Sequence, residues 1–182
     1  MSDPVRARMT SDEFIAWAME QPETEHYELV AGEIVAMTPE RLGHVRAKQR
    51  IFLRLFDAVE RAGLPCELLS DGAAIEVDAT TIYEPDVSVR CGPPLPDATV
   101  KVTDPMIVVE VLSSSTRAVD TGLKFTDYFR IPSIRHYLIV RAETATVIHH
   151  ARDKAGAIAT RIVSDGALIL DPPGIELRDL FA

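Results

Sequence analysis

The stretch MIVVEVLSSST, residues 106–116, places one carboxylate inside a run of apolar side chains. If this stretch is a strand, its side chains alternate between two faces, and Glu110 shares its face with Val108 and Leu112. An ionised carboxylate in apolar surroundings is costly unless it reaches solvent, pairs with a cation or binds a metal. The pattern therefore predicts a partner for Glu110.

The elements after this strand decide the fold class. Residues 118–131 are predicted to form a helix that Pro132 closes, and the next strand is predicted at 136–141. A helix between two strands suits a crossover in a mixed sheet, so we expect an α/β or α+β fold with helices flanking a central mixed sheet. The serine run 113–115 has no nucleophile-elbow pattern and is interpreted as a turn and helix cap.

Three further elements are predicted upstream of this unit. SDEFIAWAME is predicted as a short helix with Ser11 as its N-cap, and HVRAKQRIFLRLFDAVERAG as a longer helix that ends at Gly63. Between them, HYELVAGEIVAM has the pattern of a β-hairpin that turns at Ala31-Gly32. The residues expected to form its apolar surface are Tyr27, Leu29, Ile34 and Ala36, with Glu28 on the other face.

The remaining segments are assigned from alternation and from turn residues. The proline-rich stretch CGPPLPDATVKVTDP is expected to be a loop. Further strands are predicted at 66–70, 73–78, 85–90, 145–150 and 157–164.

Composition limits the class of protein. A chain of 182 residues with 47% hydrophobic residues suits a single domain, 1–182. It has neither an apolar run of about 20 residues nor an N-terminal signal pattern, so we expect a cytoplasmic protein without a membrane span. Cys66 and Cys91 show no metal-ligand spacing and are interpreted as reduced structural thiols.

Charge is unevenly distributed along the chain. The formal net charge of −9 argues against a protein that coats nucleic acid, whose affinity comes largely from Lys and Arg on phosphates. The long helix nevertheless carries a basic stripe, and Arg46, Arg50 and Arg54 are candidates for nucleic-acid contact. A solvated helix face is an equally good interpretation of the same stripe.

A second carboxylate, Asp86, follows Pro85 at the start of a predicted strand. If this strand neighbours that of Glu110, the two acids can converge within about 5–8 Å, which suits a divalent cation with oxygen ligands. Lys124 lies on the crossover helix beside Glu110, with Tyr128 on the same helical face. A lysine there can orient a metal-bound water or neutralise charge on a scissile phosphate, which is chemistry typical of phosphodiester cleavage.

A set of short motifs runs through the chain in order. They are Tyr27-Glu28-Leu29, Gly32-Glu33, His44, Pro85-Asp86-Val87, Val109-Glu110-Val111-Leu112-Ser113, Lys124 and Tyr128. Together they resemble the Uma-two family, a branch of the PD-(D/E)XK restriction-endonuclease-like superfamily. The resemblance covers about residues 10–150 and rests on the order of the motifs and on the serine-rich turn after Glu110.

This resemblance implies a restriction-endonuclease-like fold and a Mg²⁺-dependent endonuclease, with Mn²⁺ as an alternative ion. The implied metal ligands are Asp86, Glu110 and the backbone carbonyl of Val111; the implied catalytic residues are Asp86, Glu110, Lys124 and Glu28, with His44 and Tyr128 as secondary candidates. In this scheme Lys124 positions the attacking water and Glu28 assists as a further acid. DNA is expected in preference to RNA, and the family resemblance implies a homodimer.

The chain departs from the superfamily pattern at two positions. Leu112 occupies the place of the expected lysine in the Asp/Glu-x-Lys motif, and the family looks as if this lysine has moved to the position of Lys124. Arg141 stands where an acid is typical. This changes the surroundings of the site but leaves its three principal residues in place.

Each site residue also has a purely structural interpretation. Glu110 can form an ion pair with Lys124 without any metal. Asp86 can accept hydrogen bonds from backbone amides, and Lys124 can pair with Asp120 on its own helix. His44 can be a helix-capping or surface residue.

Two other functions compete with the endonuclease. The acidic net charge and Leu112 suggest a binding module that keeps the fold without turnover. The scarcity of basic surface suggests a metal-dependent hydrolase of a small phosphate ester.

Overall fold

The computed structural model describes residues 8–112 and 118–181. The helices within these residues are α1 (Ser11–Ala18), α2 (Leu42–Ala62) and α3 (Ala118–Tyr128), with a 3₁₀ turn at Ala142–Thr144. The strands are β1 (Tyr27–Val30), β2 (Glu33–Ala36), β3 (Cys66–Ser70), β4 (Ala74–Asp78), β5 (Thr81–Tyr83), β6 (Val87–Cys91), β7 (Lys101–Val102), β8 (Ile107–Leu112), β9 (His136–Arg141), β10 (Thr146–Arg152), β11 (Ile158–Val163), β12 (Leu168–Leu170) and β13 (Ile175–Leu177).

Two mixed sheets and one small hairpin organise these strands. The larger sheet has the order β11-β10-β9-β8-β6-β3, the second has the order β2-β1-β5-β4-β7, and β12 pairs with β13. In the larger sheet β8 is antiparallel to β6 and parallel to β9, and α3 connects β8 to β9. The predicted mixed α+β fold with a helical crossover is therefore confirmed.

Helix α2 packs on the larger sheet. Its buried residues Ile51, Leu55 and Val59 belong to one apolar cluster with Val109 of β8. Each such side chain contributes roughly 1.5–3 kcal/mol through burial. The helix ends at Gly63, as predicted, with a left-handed φ of 60° that glycine adopts without strain. These contacts fix α2 beside the strands that carry the predicted acids.

The ends of two helices differ from the prediction. Thr10, and not Ser11, caps α1, because Thr10 and Glu13 exchange the two hydrogen bonds of a capping box. The Ser11 hydroxyl instead donates to Glu76 over 2.5 Å. Helix α3 ends at Tyr128, before the predicted end at residue 131.

The hairpin β1–β2 is confirmed, with positive φ angles at Ala31 and Gly32 in its turn. Its predicted apolar face is wrong in β2, where Ile34 and Ala36 are exposed, whereas Leu29 in β1 is buried. Helix α1 packs over β1, and β2 lies at the edge of the sheet beyond it. Alternation in the sequence cannot show which strand of a hairpin becomes the edge.

Four short strands were not predicted, namely β5, β7, β12 and β13. Each is two or three residues long. Strand β7 lies inside the proline-rich stretch that the sequence predicts as a loop. Segments of this length are too short to show the period-2 pattern on which strand prediction depends.

Cys66 and Cys91 are joined by a disulfide bond, so the prediction of reduced thiols is wrong. Antiparallel pairing of β3 with β6 places the two cysteines directly opposite each other, with their Cα atoms 3.9 Å apart. A separation of 25 residues in the sequence gives no sign of this register.

A hydrogen-bonded chain of two buried histidines joins β9, β10 and β11 to the turn at Pro172. The Nε of Arg161 donates to Nδ1 of His149 over 3.0 Å. A neutral His149 therefore carries its proton on Nε2, which lies 2.8 Å from Nδ1 of His136. Nε2 of His136 in turn lies 2.8 Å from the carbonyl oxygen of Pro172. Each ring nitrogen of His136 and His149 therefore has a hydrogen-bond partner when both rings are neutral.

The pH dependence of unfolding tests this chain. Burial, reinforced by His136 and Arg161, lowers the pKa of His149 to about 3. His149 then stays neutral in the folded state at pH values where the unfolded state is protonated, which begins near pH 6.5. The free energy of unfolding is therefore highest above pH 6.5 and declines toward pH 3. Between pH 6.5 and 5.5 we expect His149 to lower the free energy of unfolding by about 1 kcal/mol.

Urea denaturation of wild type and His149→Gln from pH 7.5 to 5 measures the effect. The variant should be less stable at neutral pH and should show a flatter decline with acidification. His26→Gln is the matched control, because the His26 side chain is 48% exposed and lies outside the chain of histidines. Equal pH slopes for wild type and His149→Gln would contradict the assignment.

Candidate active site

The start of β6 and the end of β8 carry the two predicted acids. Antiparallel pairing matches Val87 with Val109, so Asp86 and Glu110 occupy the next positions on adjacent strands. The backbone N–H of Val111 donates to Oδ2 of Asp86 over 2.5 Å. The predicted adjacency of the two strands is confirmed, while the role of the Val111 carbonyl as a metal ligand stays a prediction.

Asp86 is a buried carboxyl group with only 8% of its surface exposed. Burial, reinforced by the negative charge of Glu110, raises the pKa of Asp86 to about 7. The hydrogen bond from Val111 and the charge of Lys48 act in the opposite direction but do not cancel the effect. A cation bound beside Asp86 would favour its ionised form.

Lys124 connects β8 to the hairpin. Its Nζ lies 2.8 Å from Oε1 of Glu28 and 3.1 Å from Oε1 of Glu110. Burial alone lowers the pKa of Lys124, but the charges of Glu110 and Glu28 outweigh burial and raise this pKa above its ordinary value. Lys124 is therefore a fixed cation at neutral pH and not a proton acceptor.

Glu28 is buried, although acids in hairpins are usually exposed. Its Oε1 accepts hydrogen bonds from the backbone N–H of Glu84 over 3.1 Å and from Lys124. Burial raises the pKa of Glu28, and the charge of Lys124 opposes this shift. The structure thus brings Glu28 into one cluster with Glu110 and Lys124, as the family resemblance implies.

Three tyrosines surround this cluster. The hydroxyl of Tyr128 donates to Oε1 of Glu110 over 2.8 Å, and burial raises the pKa of this hydroxyl well above its ordinary value. The ring centroid of Tyr128 lies 5.4 Å from that of Tyr83 and 5.1 Å from that of Tyr137. Nζ of Lys124 lies 5.0 Å from the Tyr83 ring centroid, within cation–π range. Rigid rings therefore hold Glu110 and Lys124 in place.

Lys48 is a site residue that the sequence analysis does not predict, because a lysine in a basic helix resembles a solvent-exposed cation. Its Nζ lies 2.7 Å from Glu40, 2.9 Å from Asp71 and 3.4 Å from Asp86. Burial lowers the pKa of Lys48, but the hydrogen bonds to Glu40 and Asp71 outweigh burial and raise it. Its position one turn before Ile51, on the buried stripe of α2, is the sequence signal that could have found it.

A second set of potential metal ligands adjoins Asp86. Nε2 of His44 lies 3.3 Å from Oε1 of Glu40, and ligand atoms of Glu40, His44 and Asp86 lie within 4.8 Å of one another. A single divalent ion can bridge donors at this spacing. Since the ammonium group of Lys48 contacts two of the same carboxylates, an ion at this place would compete with Lys48.

The predicted nucleic-acid arginines lie on a different flank of α2 from the site. At about 100° per residue, Arg46, Arg50 and Arg54 share one flank of the helix, and Lys48 lies on another. The guanidinium of Arg50 donates to the carbonyl oxygen of Phe181 over 3.2 Å. The structure thus brings Arg50 to the C-terminal segment, and nucleic-acid contact by the three arginines stays a prediction.

Two structural interpretations fall outside the described part of the chain. The predicted turn and helix cap at Ser113, Ser114 and Ser115 lie outside the described residues. The side chain of Asp120, the alternative partner of Lys124, is likewise not described.

The fold is a mixed α+β fold that is also found in a solved structure. The structure resembles the crystal structure of "a putative nuclease belonging to DUF820" from Anabaena variabilis, with a TM-score of 0.75. The match covers 95% of this chain and 97% of the other at 15% sequence identity, so the likeness concerns the fold.

The chain belongs to the Uma2 family. The family model, described as "Putative restriction endonuclease", matches residues 11–180. Two relatives from Synechocystis sp. carry the names "Uncharacterized protein slr1290" and "Uncharacterized protein sll1609". The first is 32% identical over 80% of this chain and 76% of its own length, and the second is 27% identical over 73% of this chain and 76% of its own length. The family that the motifs indicate is confirmed.

The described helices include none that is long and apolar enough to cross a membrane.

Removal of Lys124 tests the buried ion-pair cluster. In Lys124→Met the buried Glu28 and the partly buried Glu110 lose their shared cation, and we expect the free energy of unfolding at pH 7 to fall by about 3 kcal/mol. The loss should be smaller at pH 4.5, because protonation removes the charge that has lost its partner. Urea denaturation at both pH values measures it.

Lys154→Met is the control, since Lys154 is exposed in the turn between β10 and β11. Its stability should stay within about 0.5 kcal/mol of wild type. A Lys124→Met variant as stable as this control would show that the cluster contributes nothing to the fold.

Proposed function

We propose that this chain is a Mg²⁺-dependent endonuclease that hydrolyses phosphodiester bonds of DNA. The observation that carries the proposal is the placement of Asp86 and Glu110 on adjacent strands, with the ammonium group of Lys124 bonded to Glu110. Membership of a family described as "Putative restriction endonuclease" supports it.

The donor set fits a hard divalent ion. Mg²⁺ prefers carboxylate and carbonyl oxygens, which Asp86, Glu110 and the backbone of Val111 would supply, and Mn²⁺ accepts the same donors. Asp86 lies next to Glu110 on the neighbouring strand, and burial together with the charge of Glu110 raises the pKa of Asp86 to about 7; a bound cation would oppose this shift. When bound, the ion would lower the pKa of a coordinated water and balance charge on the phosphate.

Lys124 supplies a preorganised positive charge. Its bonds to Glu28 and Glu110 use two of the three N–H donors of an ammonium group, and the third suits a water molecule or a phosphate oxygen. Positive charge fixed in this way stabilises the negative charge that develops on a phosphate during attack. Because Lys124 is already protonated, the proton of the attacking water must pass to a carboxylate or to solvent.

Glu28 acts through Lys124. It accepts a hydrogen bond from the ammonium group of Lys124 over 2.8 Å, and the same oxygen accepts one from the backbone N–H of Glu84. Glu28 therefore fixes the position of Lys124, and its role as a further acid stays a prediction.

Plasmid nicking in Mg²⁺ tests the two acids. Asp86→Asn and Glu110→Gln keep the size of each side chain but remove its charge, and each should lower the rate by roughly 10²–10³-fold. Glu176→Gln is the matched control, because Glu176 on β13 forms an exposed ion pair with Arg178, and loss of this ion pair should leave the rate unchanged. Nicking by Asp86→Asn at the wild-type rate would disprove the assignment.

Two measurements separate the competing functions. Calorimetry that detects no Mg²⁺ or Mn²⁺ binding at millimolar concentrations would favour a binding module without turnover. Turnover of bis(p-nitrophenyl) phosphate without cleavage of plasmid or single-stranded DNA would favour a hydrolase of small phosphate esters. Faster cleavage of RNA than of DNA would show that RNA is the preferred substrate.

We further propose that the chain forms a homodimer. The expectation comes from the family resemblance, and the edge strand β2 supports it. Ile34 and Val35 on this strand, with the following Met37, are 38–44% exposed. Apolar side chains along a sheet edge are a typical contact between chains.

Sedimentation velocity tests the dimer. Wild type should sediment as a dimer at micromolar concentration, and Val35→Lys should shift it toward the monomer because a buried, unpaired ammonium group is unfavourable. Ile162→Lys on β11, the edge of the other sheet, is the control and should leave the dimer intact, although Ile162 is 72% exposed. A monomeric wild type would contradict the proposal.

A further inference from the structure

An apolar groove of about 460 Å³ opens beside Asp86, between α2 and the end of β3. Val45, Phe52 and Leu53 are its apolar lining residues, and Lys48 and Asp86 also line it. Since Asp86 and Lys48 also belong to the candidate active site, the groove is continuous with the place where the phosphodiester would be cleaved.

The wall of the groove is suited to a flat apolar group. Phe52 is half-buried against the core, and Leu53 is 58% exposed. An exposed apolar wall beside a cluster of carboxylates does not attract a phosphate, because the carboxylates repel it. A nucleobase suits it better, since every base has a face that stacks on an aromatic ring.

A base enters this groove only when it is unpaired. A paired base lies inside the stack of a duplex and must be extruded before it can reach a pocket, at a cost of a few kcal/mol. A duplex-binding surface usually repays such costs with many contacts between basic residues and phosphates. Lys48 is the only Lys or Arg among the described residues of this groove, and it is already bonded to Glu40 and Asp71.

We infer that the groove binds an unpaired nucleobase next to the cleaved phosphate, so that the substrate is single-stranded nucleic acid or a single-stranded segment of a duplex. The inference rests on the proposed nuclease function and specifies its substrate class. Phe52 is the residue on which the base stacks, and the adjoining phosphate then lies near Asp86, where the proposed divalent ion would balance the negative charge.

Substitution of Phe52 tests the stacking contact. Phe52→Leu keeps an apolar side chain against the core but removes the aromatic face, and stacking on such a face accounts for about 1–3 kcal/mol per base, or roughly 5- to 150-fold in affinity. Phe56→Leu is the matched control, because Phe56 lies one turn further along α2, is 45% exposed and is not part of the groove.

The readout combines cleavage with binding. Wild type in Mg²⁺ should cut a single-stranded oligodeoxynucleotide at least tenfold faster than the perfect duplex of the same sequence, and an unpaired bubble should restore cleavage of the duplex. Phe52→Leu should raise KM for the single strand with a smaller change in kcat, whereas Phe56→Leu should match wild type. Fluorescence anisotropy with the labelled single strand should show the same order of affinities.

The outcomes distinguish this inference from the proposed function. Equal cleavage of duplex and single strand, or equal KM for Phe52→Leu and Phe56→Leu, would overturn the groove inference and leave the nuclease intact. Absence of cleavage by wild type would overturn the nuclease proposal. In that case, anisotropy that still shows weaker binding for Phe52→Leu alone would support the groove as a binding site, and equal binding would reject it.

Discussion

The ammonium group of Lys124 is the contact on which the candidate site depends. It bonds Glu28 of β1 and Glu110 of β8, and these strands belong to different sheets. Lys124 itself lies on α3, the helix that connects β8 to β9. One cation therefore joins both sheets and the crossover helix. Without it, two largely buried carboxylates would remain without a counter-charge, which is far more costly than a surface ion pair lost to solvent.

The sequence is sufficient to predict a site residue where that residue conflicts with the pattern of its neighbours. Glu110 interrupts an apolar strand, and such a residue must have a partner, so its neighbours Asp86 and Lys124 followed from the order of the elements. The amphipathic stripe of α2 and the turn at Ala31-Gly32 were predictable for a similar reason, because each depends on a periodicity or a backbone conformation that local residues determine.

The sequence is not sufficient to predict features that depend on contacts between distant segments of the chain. The Cys66–Cys91 disulfide depends on the register of β3 against β6, which the separation of the cysteines along the chain does not reveal. Lys48 looked like one basic residue among several, yet it faces inward to Glu40, Asp71 and Asp86, which lie on three other segments. Charge on a helix face predicts solvent contact only when no acid from elsewhere covers it.

The two internal lysines explain how an acidic protein could act on a polyanion. Lys124 contacts its carboxylates at 2.8 and 3.1 Å, whereas Lys48 is 3.4 Å from Asp86 and closer to Glu40 and Asp71. The lysine beside Asp86 is therefore farther away than the lysine beside Glu28 and Glu110, and burial together with the charge of Glu110 raises the pKa of Asp86. A divalent ion would supply positive charge at the acid that also lines the apolar groove. Binding of the ion and of a phosphate would then be coupled, because the carboxylates repel the phosphate until the ion balances their charge.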